Sequence, residues 1–321
     1  MSTPSSERPN WSLVERELLG GGFHPSRRLG QNFLRDPRAI ESVVAAAELA
    51  PGACVLEVGP GYGVLSYELA ARGCQLVAVE IDPRLAELSE RILAPFPGAR
   101  VVRSDALGGK HALAKPLLAA VAGWRDWSLV ANLPYSVASP LIALVARLPA
   151  PPRRIVATVQ LEVAERLLAP PGGGDFGPLS VRVQLAYRGS LVRRIGPGAF
   201  SPRPEVDSGI VRLDLRDDRP ASDAWPPLDR LVDVLFQQRR KSVLGVLRAE
   251  LGDAEVARDL LASQGIAPEL RPERLAPERF LALAQDPAWC DHFARSAASD
   301  PRRVSPEESR GEARQEPEPS E

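Results

Sequence analysis

The tetrapeptide Asn132-Leu133-Pro134-Tyr135 carries more chemical information than any other stretch of the chain. It follows the apolar run Trp127 to Ala131, which reads as a buried strand, and precedes a helical pattern from about Val137. An amide, a main-chain carbonyl kept free of helix and an aromatic ring are thereby brought to one sheet edge. Those parts suit a planar base held by its exocyclic amine. The lone pair of such an amine is delocalised into the ring, so the amine is a poor nucleophile. If the Asn132 side-chain oxygen and the Leu133 carbonyl each accept one N–H, the nitrogen is drawn toward a tetrahedral geometry in which it can attack. Tyr135 can stack on a flipped base and fix its plane. An ordinary turn uses the same residue types, so the assignment depends on the upstream sequence.

Upstream, Val55-Leu56-Glu57-Val58 reads as a strand, and Gly59-Pro60-Gly61-Tyr62-Gly63 as a loop with glycine at every second position before a helical run from Val64 to Ala71. Glycines at such a turn let backbone approach a ligand closely. The next strand, Gln75 to Val79, ends in Glu80-Ile81-Asp82, about 20 residues beyond the glycines, where an acid can grip a pair of ribose hydroxyls. The spacing departs from the G-x-G-x-x-G of dinucleotide-binding loops. It resembles instead the E-x-G-x-G-x-G loop of S-adenosylmethionine-dependent methyltransferases. Asp105, at the tip of a third strand (Val101 to Arg103), is placed to accept from an adenine amine.

Positioning these residues at successive strand tips requires alternating strands and helices. The pattern predicts strands near 53–58, 75–80, 99–103, 127–131, 154–159, 180–187 and 209–214, hence a mostly parallel α/β sheet covered on both faces. Ligands of such sheets bind at the strands' carboxyl ends, where every motif above falls. Gly172-Gly173-Gly174 marks an exposed loop before the sixth strand, and the last two strands, with no helix between them, read as an antiparallel hairpin. Asp36-Pro37 is a helix start. The chain divides into an extension over 1–26 with a short helix from Trp11 to Leu19, an α/β domain over 27–215, a helical domain over 216–290 and an acidic, disordered tail over 291–321. In the helical domain, Leu228, Leu231, Val232, Leu235 and Phe236 recur at helical spacing.

Composition narrows the class. No apolar run approaches a membrane span, and the start is polar with no secretory pattern. Cys54, Cys74 and Cys290 show no C-x-x-C spacing, which points to free thiols in a reducing, cytoplasmic compartment. His24, His111 and His292 form no ligand cluster, and no metal is expected. The formal net charge of −1 conceals an asymmetry, because the tail from Asp300 is net acidic. The remainder carries basic clusters at Arg27-Arg28, Arg153-Arg154, Arg193-Arg194 and Arg239-Arg240-Lys241, suited to an RNA footprint.

From about Arg27 to Leu247 the chain resembles the ribosomal RNA adenine N6-dimethyltransferase family, and most closely its bacterial small-subunit branch. The resemblance rests on Arg28-Leu29-Gly30-Gln31-Asn32-Phe33-Leu34, the glycine loop, Glu80-Ile81-Asp82, Asp105-Ala106 and Asn132 to Tyr135. It extends through Phe176 to Ser180, Phe200 to Ser208 and Phe236 to Lys241. It implies a Rossmann-like class I methyltransferase sheet with a small C-terminal α-helical domain, S-adenosylmethionine as cofactor, and N6-dimethylation of adenosines in small-subunit rRNA. By the same resemblance the cofactor contacts fall on Asn32, Leu34, Gly59, Glu80, Asp105 and Asn132, with Gly61 and Gly63 in the loop. Gly30 to Leu34 becomes a flap over the cofactor. Phe200 would face the base opposite Tyr135, and Arg239, Arg240 and Lys241 would reach RNA. The family commonly has lysine where this chain has Leu161, and the Arg153-Arg154 pair is the expected compensation. A monomer is expected when the protein is free. A large-subunit rRNA methyltransferase of the macrolide-resistance type, a DNA adenine methyltransferase and a non-catalytic assembly factor on the same fold remain as alternatives.

Overall fold

In the computed structural model, which describes residues 8–26, 28–109 and 112–298, the chain builds one seven-stranded sheet with helices around it. Helix α1 (Trp11–Gly20) starts where the Asn10 side chain accepts from the Leu13 N–H, and a two-residue strand β1 (Phe33–Leu34) follows. Helix α2 (Pro37–Ala47) begins as its sequence predicts. Asp36 accepts from the Ala39 N–H, and Pro37 takes the first turn, where its missing N–H has no partner to lose. Next come β2 (Cys54–Val58), α3 (Val64–Ala71), β3 (Gln75–Glu80), α4 (Pro83–Leu93) and β4 (Ala99–Arg103). A short ribbon of β5 (Leu107–Gly109) and β6 (Ala112–Leu113) leads through α5 (Lys115–Ala120) to β7 (Trp127–Asn132), α6 (Tyr135–Val145) and β8 (Arg154–Gln160). Helices α7 (Leu161–Leu168) and α8 (Pro178–Ala186) precede β9 (Tyr187–Ile195), β10 (Phe200–Ser201) and β11 (Ser208–Leu215).

The sheet order is β4-β3-β2-β7-β8-β11-β9. Neighbours from β4 to β8 are parallel, while β11 runs antiparallel to both β8 and β9. The chain moves outward from β2 to β4 and then returns to the other side of β2 as β7. This reversal of direction opens a crevice between the carboxyl ends of β2 and β7, the place where such sheets bind ligands. Strands β1 and β10 form a separate antiparallel pair, Leu34 opposite Phe200.

The helical region comprises α9 (Trp225–Gln237), α10 (Val243–Leu251), α11 (Ala254–Ser263), α12 (Pro277–Gln285) and α13 (Pro287–Ala298). Leu228, Leu231, Val232 and Leu235 are fully buried on one face of α9, as their spacing predicts, and Phe236 stacks on Phe280 at 5.7 Å. One core cluster runs without a break from Leu56 and Ile155 in the sheet to Leu231, Phe280 and Trp289 in the helices. The buried Arg182 of α8 strengthens that join by donating to Asp229 and Asp233 of α9, each at 2.7 Å.

Two sequence expectations need correction. The strand expected over 180–187 is helix α8, and the sheet strand is Tyr187–Ile195. Val181, Val183 and Leu185 alternate like a strand, but they are buried because α8 lies between sheet and helices and is covered on most sides. Strand β9 is an exposed edge rich in arginine, with Leu191 and Val192 adjacent and both exposed, so it carries no alternating apolar pattern. The N-terminal extension packs on the body of the fold, with Val14, Leu18 and Phe23 against Phe33, Tyr62 and Leu85. Residues 291–298, assigned by sequence to a disordered tail, complete α13, whereas the acidic stretch from 300, Arg27 and His111 lie outside the described residues.

Candidate active site

A cavity of about 290 Å³ opens at the carboxyl ends of β2, β3 and β7. Its lining includes Asn32, Gly59, Gly61, Glu80, Asp105 and all of Asn132 to Tyr135, so nine residues singled out along 104 positions of sequence meet at one place. The glycine loop is what lets them meet. Gly59 has φ of +73°, and a Cβ there would lie 3.3 Å from the Pro134 ring. Gly61 has φ of +58°, and its Cβ would sit 2.6 Å from the Phe33 ring. A side chain at either position would be strained in backbone and would push the flap or the Asn-Leu-Pro-Tyr turn away.

Two expected contacts fall elsewhere. Gly63 serves as the left-handed start of α3, with its missing Cβ facing Ile92 at 2.8 Å rather than the cavity. Leu34 belongs to the second core cluster and borders a small adjoining cavity with Glu57, Pro60, Tyr62 and Asn132. Phe200, expected to face a base, is also a core residue. It is 6% exposed, packs in the same cluster as Ile40 and Ile210, and lines neither the cavity nor the groove beside it.

Asn132 is the best-defined polar group. Its Nδ2 donates to the Asn32 main-chain oxygen at 2.9 Å. Because a carbonyl can only accept, that contact decides which end of the amide faces the flap and leaves Oδ1 available to a ligand. The Leu133 N–H donates to the Thr158 oxygen at 3.1 Å, and no N–H among the described residues reaches the Leu133 carbonyl. Two consecutive residues of the cavity lining therefore each keep an acceptor without a donor among the described residues. The Tyr135 hydroxyl lies 3.4 Å from the buried Ser208 Oγ, and burial pushes the phenol above its ordinary value, so it stays neutral.

Glu80 is buried at the tip of β3 and accepts from the Asp82 N–H at 2.9 Å and the Gly61 N–H at 3.3 Å. Burial raises its carboxyl, and those two N–H groups work against the rise. Glu57, buried behind the glycine loop, accepts from Ser66 Oγ at 2.5 Å, and burial pushes it up to about 8. Sequence reading gave Glu57 no role. Its signal was the strand-end acid two residues before Gly59. Gln31 fastens the flap: its Nε2 donates to Asp82 Oδ2 at 3.3 Å, while its Oε1 accepts from the Ser26 N–H at 2.7 Å. Ile81, 46% exposed and between two acids, supplies an apolar wall. Asp105 is exposed at the rim, with Oδ1 accepting from the Leu107 N–H at 2.9 Å.

The basic clusters separate. Arg154 is buried at the opposite end of the sheet, bound to Asp214 at 2.6 Å, Glu48 at 2.9 Å and the Ala47 carbonyl at 2.9 Å. Arg153 faces Asp126 at that same end, so the pair does not replace the cation missing at Leu161. Arg193 donates to Ser42 Oγ, and Arg194 lies 3.6 Å from Glu165. Arg239, Arg240 and Lys241 are exposed in the turn after α9. Among the described residues no group of acids, histidines and cysteines could hold a metal, and no helix is long and apolar enough to cross a membrane.

Known proteins similar to this chain identify its family and fold. The profile of the ribosomal RNA adenine dimethylase family matches residues 22–286. Ribosomal RNA small subunit methyltransferase A of Corynebacterium efficiens is 36% identical over 272 residues, covering 81% of this chain and 90% of that protein. The protein of the same name from Nitratidesulfovibrio vulgaris Hildenborough is 38% identical over 261 residues, covering 81% and 95%. Among solved structures, a dimethyladenosine transferase from Plasmodium falciparum superposes with a TM-score of 0.66 at 23% identity, covering 78% of this chain and 95% of that one, a likeness of fold. The 23S rRNA methyltransferase ErmE gives a TM-score of 0.59 at 28% identity, covering 79% and 98%.

Proposed function

The chain belongs to the ribosomal RNA adenine dimethylase family, and from that premise we propose that it methylates the exocyclic N6 of adenosines in small-subunit rRNA. Two transfers to each nitrogen, at two adjacent adenosines near the 3′ end, complete the proposed reaction, carried out by a cytoplasmic monomer during ribosome assembly.

The observation that carries this reading is the pair of open acceptors at Asn132 Oδ1 and the Leu133 carbonyl, beside the Tyr135 ring. An exocyclic amine has two hydrogens, and two acceptors at one corner can take both. With its hydrogens so held, the nitrogen loses conjugation with the ring and its lone pair becomes available. Tyr135 holds the plane of the base. No strong base is required, because the proton on a freshly alkylated nitrogen is acidic and passes to water. Catalysis is therefore mostly positioning and electrostatics.

The cavity suits S-adenosylmethionine in charge and in shape. Glu80 is buried in its wall and, among the described residues, forms no ion pair with a cation, so a positively charged ligand would favour the ionised carboxylate that burial disfavours. Gly59 and Gly61 leave the floor without side chains, Ile81 walls one side, and Asn32 and Gln31 close the flap. Glu80 would hold the ribose hydroxyls, Asp105 the adenine amine, and the glycine loop the amino-acid end. When bound, the cofactor supplies an electrophilic methyl group on a sulfonium.

The test is transfer of labelled methyl from S-adenosylmethionine onto unmodified small subunits, large subunits and DNA offered separately. Label in the small subunit, as dimethyladenosine, is expected. Label confined to the large subunit would favour the macrolide-resistance type, label on DNA alone a DNA methyltransferase, and none a non-catalytic assembly factor.

A further inference from the structure

Beside the cavity, across Tyr135, lies a groove of about 530 Å³. The two spaces share Gly30, Gln31, Asn32, Tyr135 and Ser136, so a base seated at Asn132 has the groove at its back. Arg28, just before the flap, and Arg203, in the connection from β10 to β11, both line this groove. Both are exposed, and no acid among the described residues forms an ion pair with either. Glu205 also lines the groove, so the charges named there sum to +1.

We infer that Arg28 and Arg203 hold the phosphates of the RNA strand on either side of the reacting nucleotide. The inference rests on the proposed RNA substrate and specifies where the strand lies. A nucleotide that turns its base into a closed cleft keeps its sugar and both flanking phosphates outside. These negative groups must lie at the mouth of the cleft, and the groove is the mouth on the Tyr135 side. Guanidinium groups suit the task, because a planar fork can donate two parallel hydrogen bonds to one phosphate. Most other arginines near the sheet are already committed, Arg154 and Arg212 to Glu48 and Asp214, and Arg182 and Arg147 to Asp229. Gln160 also lines the groove, and the next residue, Leu161, packs toward Gly209, so no cation comes from that side. Arg28 and Arg203 supply the charge that sequence reading assigned to Arg153 and Arg154.

The test measures binding of a short single-stranded, adenine-containing RNA by fluorescence anisotropy across a salt series, for the unaltered protein, Arg28→Gln/Arg203→Gln and Arg153→Gln. Each phosphate contact on a single strand contributes about 0.7 to the slope of log K against log salt. The double variant is expected to lose about 1.4 from that slope and about tenfold in affinity at low salt. Its calorimetric affinity for S-adenosylmethionine should not change, Arg28→Lys/Arg203→Lys should recover most of the slope, and Arg153→Gln should match the unaltered protein. An unchanged slope in the double variant overturns the inference, as does an equal loss in Arg153→Gln or a parallel loss of cofactor affinity. Failure of the unaltered protein to methylate small subunits would count against the proposed substrate alone, because the slopes are read without turnover.

Discussion

The two ends of one sheet are charged in opposite ways. At the carboxyl end, Glu57 and Glu80 are buried with no ion pair to a cation among the described residues, and burial raises both carboxyls. At the amino end of β8, Arg154 and Arg212 interlock with Glu48 and Asp214 and cap the last carbonyls of α2 at Ala46 and Ala47. There, hydrogen bonds from the arginines hold Asp214 and Glu48 below the usual carboxylate range, although burial opposes this at Asp214. One end satisfies its own charges and stabilises the fold. The other leaves acceptors and acids open, an arrangement that costs stability but leaves room for a cationic ligand and an amine.

Separating these roles by mutation would break or sharpen the contrast. The largest effect is expected at Asn132. Asn132→Ala should lower methyl transfer by ~10²–10³-fold, the cost typical of losing one aimed polar group, while Tm changes little and calorimetry still detects cofactor binding. Arg154→Ala should do the reverse. Removal of the buried guanidinium should cost ~3 kcal/mol in urea unfolding, with transfer per folded molecule retained.

Glu57→Gln comes next and reads the pH dependence. The folded carboxyl lies at about 8, above its ordinary 4.5, so its stabilising effect is complete below the unfolded value and is lost as pH rises through the folded one. From pH 5 to pH 6.5 the unaltered protein should lose on the order of 2 kcal/mol on this account, and the variant should lack that slope. Asp214 has the opposite sign, its lowered carboxyl contributing stability that fades as pH falls below the ordinary value of 3.8. The smallest effect is expected for Gly61→Ala, whose Cβ must displace Phe33. Calorimetry should show cofactor affinity weakened by about tenfold, roughly 1.4 kcal/mol.

The site was legible because its parts announce themselves locally. A strand ending in Asn-Leu-Pro-Tyr and a loop with alternating glycines need no distant partner to be recognised, and Asn132 to Tyr135, Gly59 and Gly61 line one cavity. What sequence could not show is contact across the fold. Phe200 looks like a free aromatic until β10 pairs with β1 and buries it, and Arg154 looks like a phosphate ligand until Asp214, sixty residues away, closes on it. Helix α8 was misread for a related reason. A helix buried on most sides loses the polar face that marks helical period, leaving an alternation that mimics a strand.

The central claim is that the Asn132 amide oxygen and the Leu133 carbonyl take the two hydrogens of an adenine amine. A crystal structure of the protein with S-adenosylhomocysteine and a single-stranded RNA carrying the acceptor adenosine measures this directly. The exocyclic nitrogen should lie within ~3.2 Å of both Asn132 Oδ1 and the Leu133 carbonyl oxygen, with the Asn132 Nδ2 still on the Asn32 carbonyl. A base seated in the cleft with its amine ~5 Å or more from both oxygens, beyond any hydrogen bond, would contradict the claim.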